Sequence, residues 1–181
     1  DGVTYPLPSP FIVLATENPI EYQGTYSLPE AQLDRFALQL VLGYPPAPAE
    51  LQLLLDRLHG DPSQALRPIF SCEEVVTMQS QVRQVKMDGT VVAYVLELVN
   101  RTRADKRVAL GASPRAGLTL CRCAQAEAYR SGRTFVLPDD VKRLAVPVLA
   151  HRLVLDNQTK YAGISNTEII TDILDKCPVP K

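Results

Sequence analysis

Three residues in this chain combine a type and a setting suited to phosphate chemistry: Asn18, Arg35 and Arg115. Asn18 follows the apolar run 11–15 (FIVLA), so its amide is delivered at the end of a predicted strand, where open α/β sheets place their ligands. An amide there can hydrogen-bond a γ-phosphate or orient an attacking water, although Asn18-Pro19 is equally a common turn after a strand. Arg35 ends a short predicted helix opened by Leu28-Pro29-Glu30. Its guanidinium is a fixed fork of donors that matches phosphoryl oxygens; the alternative is a surface arginine paired with Asp34 or Glu30. Arg115 lies in the first turn of a helix begun by Ser113-Pro114, an N-cap serine followed by proline at the first helical position. A cation there opposes the helix dipole, and either an anionic ligand or a salt bridge to a nearby carboxylate would relieve the conflict.

The elements that must position these residues change character along the chain. Residues 1–10 are expected to return as one arm of a hairpin, 11–15 to form a buried strand, and 39–42 (QLVL) a second short strand. Gly43-Tyr44-Pro45-Pro46-Ala47-Pro48 then breaks any regular structure and is the best domain boundary. Beyond it the periodicity is helical: 49–59 with four leucines on one face, 71–85 opened by Ser71 and Glu74 in capping-box register, and a helix capped by Asp88. Residues 100–112 read as helix end plus loop. Further helices are expected from Ser113 to Ser131, from Pro138 to about Ala150 with Pro147 kinking or interrupting it, and from Ser165 to Lys176. A short extended piece is expected at 152–155. His151-Arg152, following a long helix, reads as a partner for that helix's C-terminal dipole.

Composition limits the alternatives. The chain has 181 residues, 46% hydrophobic and 22% charged, which fits one ordinary domain or one domain with part of another. A net charge of −1 gives no general nucleic-acid or membrane surface. No predicted helix has a dense basic face, which argues against a helix-turn-helix nucleic-acid binder. No apolar run approaches the roughly 18 residues needed to span a bilayer. Cys72, Cys121, Cys123 and Cys177 lack metal-ligand spacing, and only His59 and His151 could assist them, so reduced thiols of a cytoplasmic protein and no metal site are expected. The start, Asp1-Gly2 without an initiator methionine, reads as a hairpin turn with one arm missing, and implies a fragment cut upstream.

Taken in order, these segments resemble the MoxR family of AAA+ ATPases. ATENP (15–19) resembles that family's sensor 1 segment, with Glu17 where glutamine is more usual. EYQGTYSLPEAQLDRF (21–36) resembles the stretch leading to its arginine finger, and GASPRA (111–116) its sensor 2. VLPDDVKRLAVPVLAHRLVL (136–155) and ILDKCPVP (173–180) resemble the last part of its lid. The resemblance implies that Asn18 positions water against the γ-phosphate. It implies that Arg35 reaches the nucleotide of the next subunit in a ring, and that Arg115 couples lid position to nucleotide state. Glu30 and Asp34 would then support the arginine helix. Glu17 would place a negative charge near the phosphates unless its side chain points away.

The expected architecture is therefore mainly α. A helical lid bundle (46–181) follows a remnant of a P-loop α/β core (1–45) with two or three short strands and one short helix. The chain has no Gly-x-x-x-x-Gly-Lys-Ser/Thr loop to cradle phosphates, and no strand ending in paired acidic residues to hold Mg²⁺. The full-length parent is expected to use ATP and Mg²⁺ in a homo-oligomeric ring acting on client or adaptor proteins. The chain alone is expected to be inactive, with no cofactor bound. The alternative is a helical protein-interaction module without ATPase function.

Overall fold

The computed structural model describes residues 2–17, 28–58 and 60–180. Two compact units divide the chain, one formed by 1–12 with 40–78 and the other by 13–39 with 79–181.

The larger unit is built on a helical core. Helix α4 (Gly89–Ala104) starts where the Asp88 carboxylate accepts the Thr90 N–H at 2.8 Å, and α5 (Pro114–Arg130) starts from Ser113, whose hydroxyl accepts the Ala116 N–H. Both caps satisfy donors that the first helical turn leaves without partners. Helix α5 packs along α6 (Pro138–Leu149) and α4, and α8 (Asn166–Lys176) closes against α4 and α6. Leu98, Val99, Leu120, Val141, Val148, Leu149, Ile169 and Ile170 meet in the interior, all essentially excluded from water. Helix α8 carries a capping box, with the Ser165 N–H donating to Glu168 at 2.6 Å and Ser165 Oγ accepting the Glu168 N–H. A short helix α7 (Asn157–Tyr161), capped by Asp156, precedes it. Its five residues are too few for a hydrophobic period to be read, although Asp156 before Asn157 is an N-cap signal.

Pro147 does not stop α6, which runs two residues further and then tightens into a 3-10 turn at Ala150–Arg152. The consequence is local: the Pro147 carbonyl accepts the N–H of Gln39 at 2.9 Å.

The chain is mainly helical, as expected, and of the pieces expected to be extended only 152–155 holds a strand among the described residues. Strand β1 (Val108–Leu110) pairs antiparallel with β2 (Val154–Leu155), and 11–15 and 39–42 form no strand among the described residues. Residues 2–10 likewise form no hairpin arm among them. The apolar runs report a preference for burial, but a strand also needs a neighbouring edge for its N–H and C=O groups. Leu14, at 92% exposure, and Val41 and Leu42 have none of the cover that their sequence predicts.

The elements of the smaller unit are α2 (Ala47–Leu58), a 3-10 turn at Pro62–Ala65, and the beginning of α3 (Cys72–Gln84). Ser71 and Glu74 make the predicted reciprocal cap of α3, at 2.7 and 3.2 Å. Leu51, Leu53, Leu54, Leu55 and Leu58 of α2 are all exposed, so its apolar stripe has no cover among the described residues.

One ion pair ties a helix start to the loop before it. Asp140 accepts two hydrogen bonds from Arg133, at 2.6 and 2.8 Å, and the backbone N–H of Leu137 at 2.8 Å. Burial raises its carboxyl pKa most, but the Arg133 hydrogen bonds, the Leu137 N–H and the Arg133 charge together outweigh it, and the net shift is downward. A carboxyl depressed in the folded state contributes stability that is complete above the unfolded pKa of about 3.9 and is lost as pH falls through the lower folded value. Asp140→Asn is therefore expected to lower stability at neutral pH and to flatten the decline below about pH 4. Denaturant midpoints measured from pH 7 to pH 2 check this, and parallel curves for variant and wild type would refute it.

Candidate functional site

The site forms where residues 30–39 lie across the ends of α5 and α6. Helix α1 (Glu30–Leu33) is a single turn followed by the turn at Asp34-Arg35. An isolated turn of this length is not stable on its own, because helix nucleation costs more than one hydrogen bond returns. Its position comes from long-range contacts.

Asp34 makes most of them. Its carboxylate accepts the Ser113 hydroxyl at 3.1 Å to Oδ1 and 3.3 Å to Oδ2, and Oδ1 lies 3.2 Å from Arg152 Nε. The Arg152 side chain is 1% exposed and reaches out in three directions. One terminal nitrogen donates to the Val148 carbonyl at 2.8 Å; the other donates to the Asp34 carbonyl at 3.2 Å and the Phe36 carbonyl at 2.6 Å. His151 Nε2 lies 3.2 Å from the same Phe36 oxygen. Burial holds the His151 pKa below its usual value, so the ring is neutral at pH 7 and the Nε2–H tautomer donates to Phe36. Burial also pulls the Arg152 pKa down, opposed by the Asp34 charge and reinforced by the Arg115 charge. The guanidinium nevertheless stays ionised, given how far above neutrality arginine titrates. A buried guanidinium needs partners for its donors, and here the Val148, Asp34 and Phe36 carbonyls accept from the two terminal nitrogens, while Nε has only the ion pair with Asp34 Oδ1.

The predicted residues fall as follows. Arg35 is exposed, and its guanidinium makes no hydrogen bond or ion pair among the described residues; Asp34, its expected surface partner, is engaged by Ser113 and Arg152 instead. Arg115, at the second position of α5, is also exposed and pairs with no carboxylate among them. The Asp34–Ser113 hydrogen bond joins the two segments, with Arg35 one residue from one end and Arg115 two residues from the other. Asn18 lies outside the described residues. Glu17 accepts the Leu28 N–H at 3.4 Å, and the Glu30 side chain makes no contact of this kind among the described residues. Sequence reading missed the part played by Arg152 and His151, which do more than partner a helix dipole. The available signal was an arginine set between Val148-Leu149-Ala150 and Leu153-Val154-Leu155, surroundings that predict burial and therefore buried acceptors.

The motifs and the helical bundle define a class, and comparison with known proteins agrees. Residues 100–173 match the AAA lid domain, and 1–38 match the ATPase family associated with various cellular activities (AAA). The chain is 41% identical to YeaC of Bacillus subtilis over 180 residues, covering 99% of this chain and 56% of that protein. It is 38% identical to the chaperone MoxR1 of Mycobacterium tuberculosis, covering 99% of this chain and 50% of that one. A crystal structure of a Cytophaga hutchinsonii protein assigned as an ATPase superposes with a TM-score of 0.89 at 36% identity, covering 99% of this chain and 57% of that chain. The chain belongs to the MoxR-type AAA+ ATPases and corresponds to their C-terminal portion. It spans about half the length of the curated relatives it matches.

Proposed function

We propose that this chain supplies the phosphate-sensing half of an ATP-hydrolysing ring, with Arg35 as the arginine finger, Arg115 as sensor 2 and Asn18 as sensor 1. Residues 1–45 would close the nucleotide-binding core and 46–181 would form the lid. The observation that carries this reading is that Arg35 and Arg115 are both exposed, and without a carboxylate partner among the described residues, on segments joined by the Asp34–Ser113 hydrogen bond. An exposed guanidinium without a carboxylate partner is a suitable fork of donors for phosphoryl oxygens, Arg115 for the nucleotide of its own subunit and Arg35 for that of the next.

The donor set fits an ATP phosphate chain. ATP supplies the phosphoanhydride that is hydrolysed with Mg²⁺. Arg35 would neutralise charge developing on the transferred phosphoryl group, Arg115 would bind the phosphates from the lid, and Asn18 would orient the attacking water. Among the described residues no group of three His, Cys, Asp or Glu side chains could hold a metal ion, and no Mg²⁺ ligand is assigned to this chain. Hydrolysis in neighbouring subunits would drive ring rearrangement and a chaperone-like action on partner proteins in the cytoplasm. No described helix is long and apolar enough to cross a membrane.

The test pairs two measurements. The full-length protein is expected to turn over ATP in a Mg²⁺-dependent manner, and calorimetric titration of the present chain with ATP is expected to give no saturable binding in the micromolar range. An assembled full-length protein without turnover, or tight binding by this chain alone, would count against the reading.

A further inference from the structure

Arg35 stands on a turn that cannot hold its own shape, yet an arginine finger must meet a phosphoryl group within a fraction of an ångström. The residues on both sides of Arg35 are tied down, and by the same group. The Asp34 carbonyl and the Phe36 carbonyl both accept from one terminal nitrogen of Arg152, while Asp34 Oδ1 lies beside Arg152 Nε. Arg152 is itself fixed by the Val148 carbonyl at the end of α6 and is shielded from water. We infer that Arg152 is the positioning residue of Arg35: it clamps the backbone before and after Arg35, so that the Arg35 guanidinium projects outward from a fixed root. The arrangement resembles a hinge pin, since the buried arginine connects the lid to the turn and the exposed one makes the contact. Because the clamp grips α6 of the lid, a lid movement would carry Arg35 with it.

This inference rests on the reading of Arg35 as a phosphate-contacting residue, and the experiment separates the two. In the full-length protein, affinity is measured for ATP and for ADP with aluminium fluoride, which mimics the phosphoryl group in transfer. Arg152→Met keeps an unbranched apolar stem in the buried site but removes the guanidinium and its donors. It is expected to bind ATP within about twofold of wild type and to bind the aluminium fluoride complex at least about tenfold more weakly. Arg35→Ala is expected to lose as much or more. The double variant should match Arg35→Ala within about twofold, because a clamp has no effect once the residue it positions is gone. A further loss from R152M in the R35A background marks a general structural role and overturns the inference. Wild-type analogue affinity in R152M, alongside a loss in R35A, overturns it while leaving the reading of Arg35 intact. An R35A protein that keeps the analogue affinity overturns both. Should R152M fail to assemble, Arg152→Lys carries the test: its single ammonium cannot bridge both carbonyls and Val148 together. The same non-additive loss is then expected, and wild-type affinity refutes it.

Discussion

Arg35→Ala in the full-length protein is expected to cut ATP turnover by about 10³-fold or more while leaving ATP affinity within about twofold. The size follows from what the guanidinium would do. A finger contributes chiefly in the transition state, when charge spreads over the phosphoryl oxygens, so its loss falls on turnover and hardly on ground-state binding. The fold is not at risk. Arg35 is exposed and its side chain makes no described contact, while Asp34, Phe36 and Gln39 carry the docking of this segment through Ser113, Arg152 and the Pro147 carbonyl. Surface substitutions of this kind stay within about 0.5 kcal/mol of wild type. Turnover and nucleotide titration measured on one preparation check the split, and an equal loss of affinity and turnover would point to disrupted assembly instead.

The second large effect is expected at Gly111, at the head of the GASPRA segment. A Cβ built there would lie 2.7 Å from Arg103 Cα and 2.8 Å from Arg103 N and Cγ. Two of these three atoms are backbone, so no rotamer change relieves the clash. The loop cannot simply retreat, because it is fastened to α4. The Arg103 Nε–H donates to the Ala112 carbonyl at 2.9 Å, the Ala112 N–H donates to Thr102 Oγ1 at 3.0 Å, and that hydroxyl donates to the Val99 carbonyl at 2.6 Å. Thr102 is fully buried, so pulling Ala112 away strands a polar group. Gly111→Ala is expected to destabilise the larger unit by an amount at or above the upper part of about 1–3 kcal/mol. For a unit of this size that lowers the melting temperature by roughly 4–12 °C. It should also loosen the Ser113 cap and the root of Arg115. Thermal unfolding followed by circular dichroism checks it, and an unchanged midpoint would show that the close approach is relieved at no cost.

These two positions mark what the sequence could and could not disclose. Helix starts were legible because their signals are local: Ser71 with Glu74, Asp88 alone, Ser113 before Pro114, and Ser165 with Glu168 each cap within three residues. The order of motifs from residue 11 to residue 180 disclosed the family for a related reason, since each motif is short and contiguous. Pairing between distant segments was not legible. Strand β1 and strand β2 offer three and two residues, too few for an alternating pattern, while the longer apolar runs at 11–15 and 39–42 met no described partner edge. Gly111 read as a loop marker, and only the approach of Arg103 gives it a steric reason. The clamp was hidden for the same reason of distance, because Arg152 and Asp34 are 118 residues apart in the chain. Arg35 was readable as a candidate phosphate ligand; the Arg152 contacts on either side of it were not.

Arg35, read as an arginine finger, acts on a nucleotide bound by a neighbouring subunit. Mixing two inactive full-length proteins tests it directly. One carries Arg35→Ala with an intact phosphate cradle, and the other keeps Arg35 but has its Walker A lysine replaced. At mixed interfaces an intact cradle faces an intact arginine, so ATP turnover should rise well above that of either protein alone, towards a level set by the fraction of such interfaces. Turnover that stays at the level of the separate variants, with mixed assembly confirmed, would contradict the account.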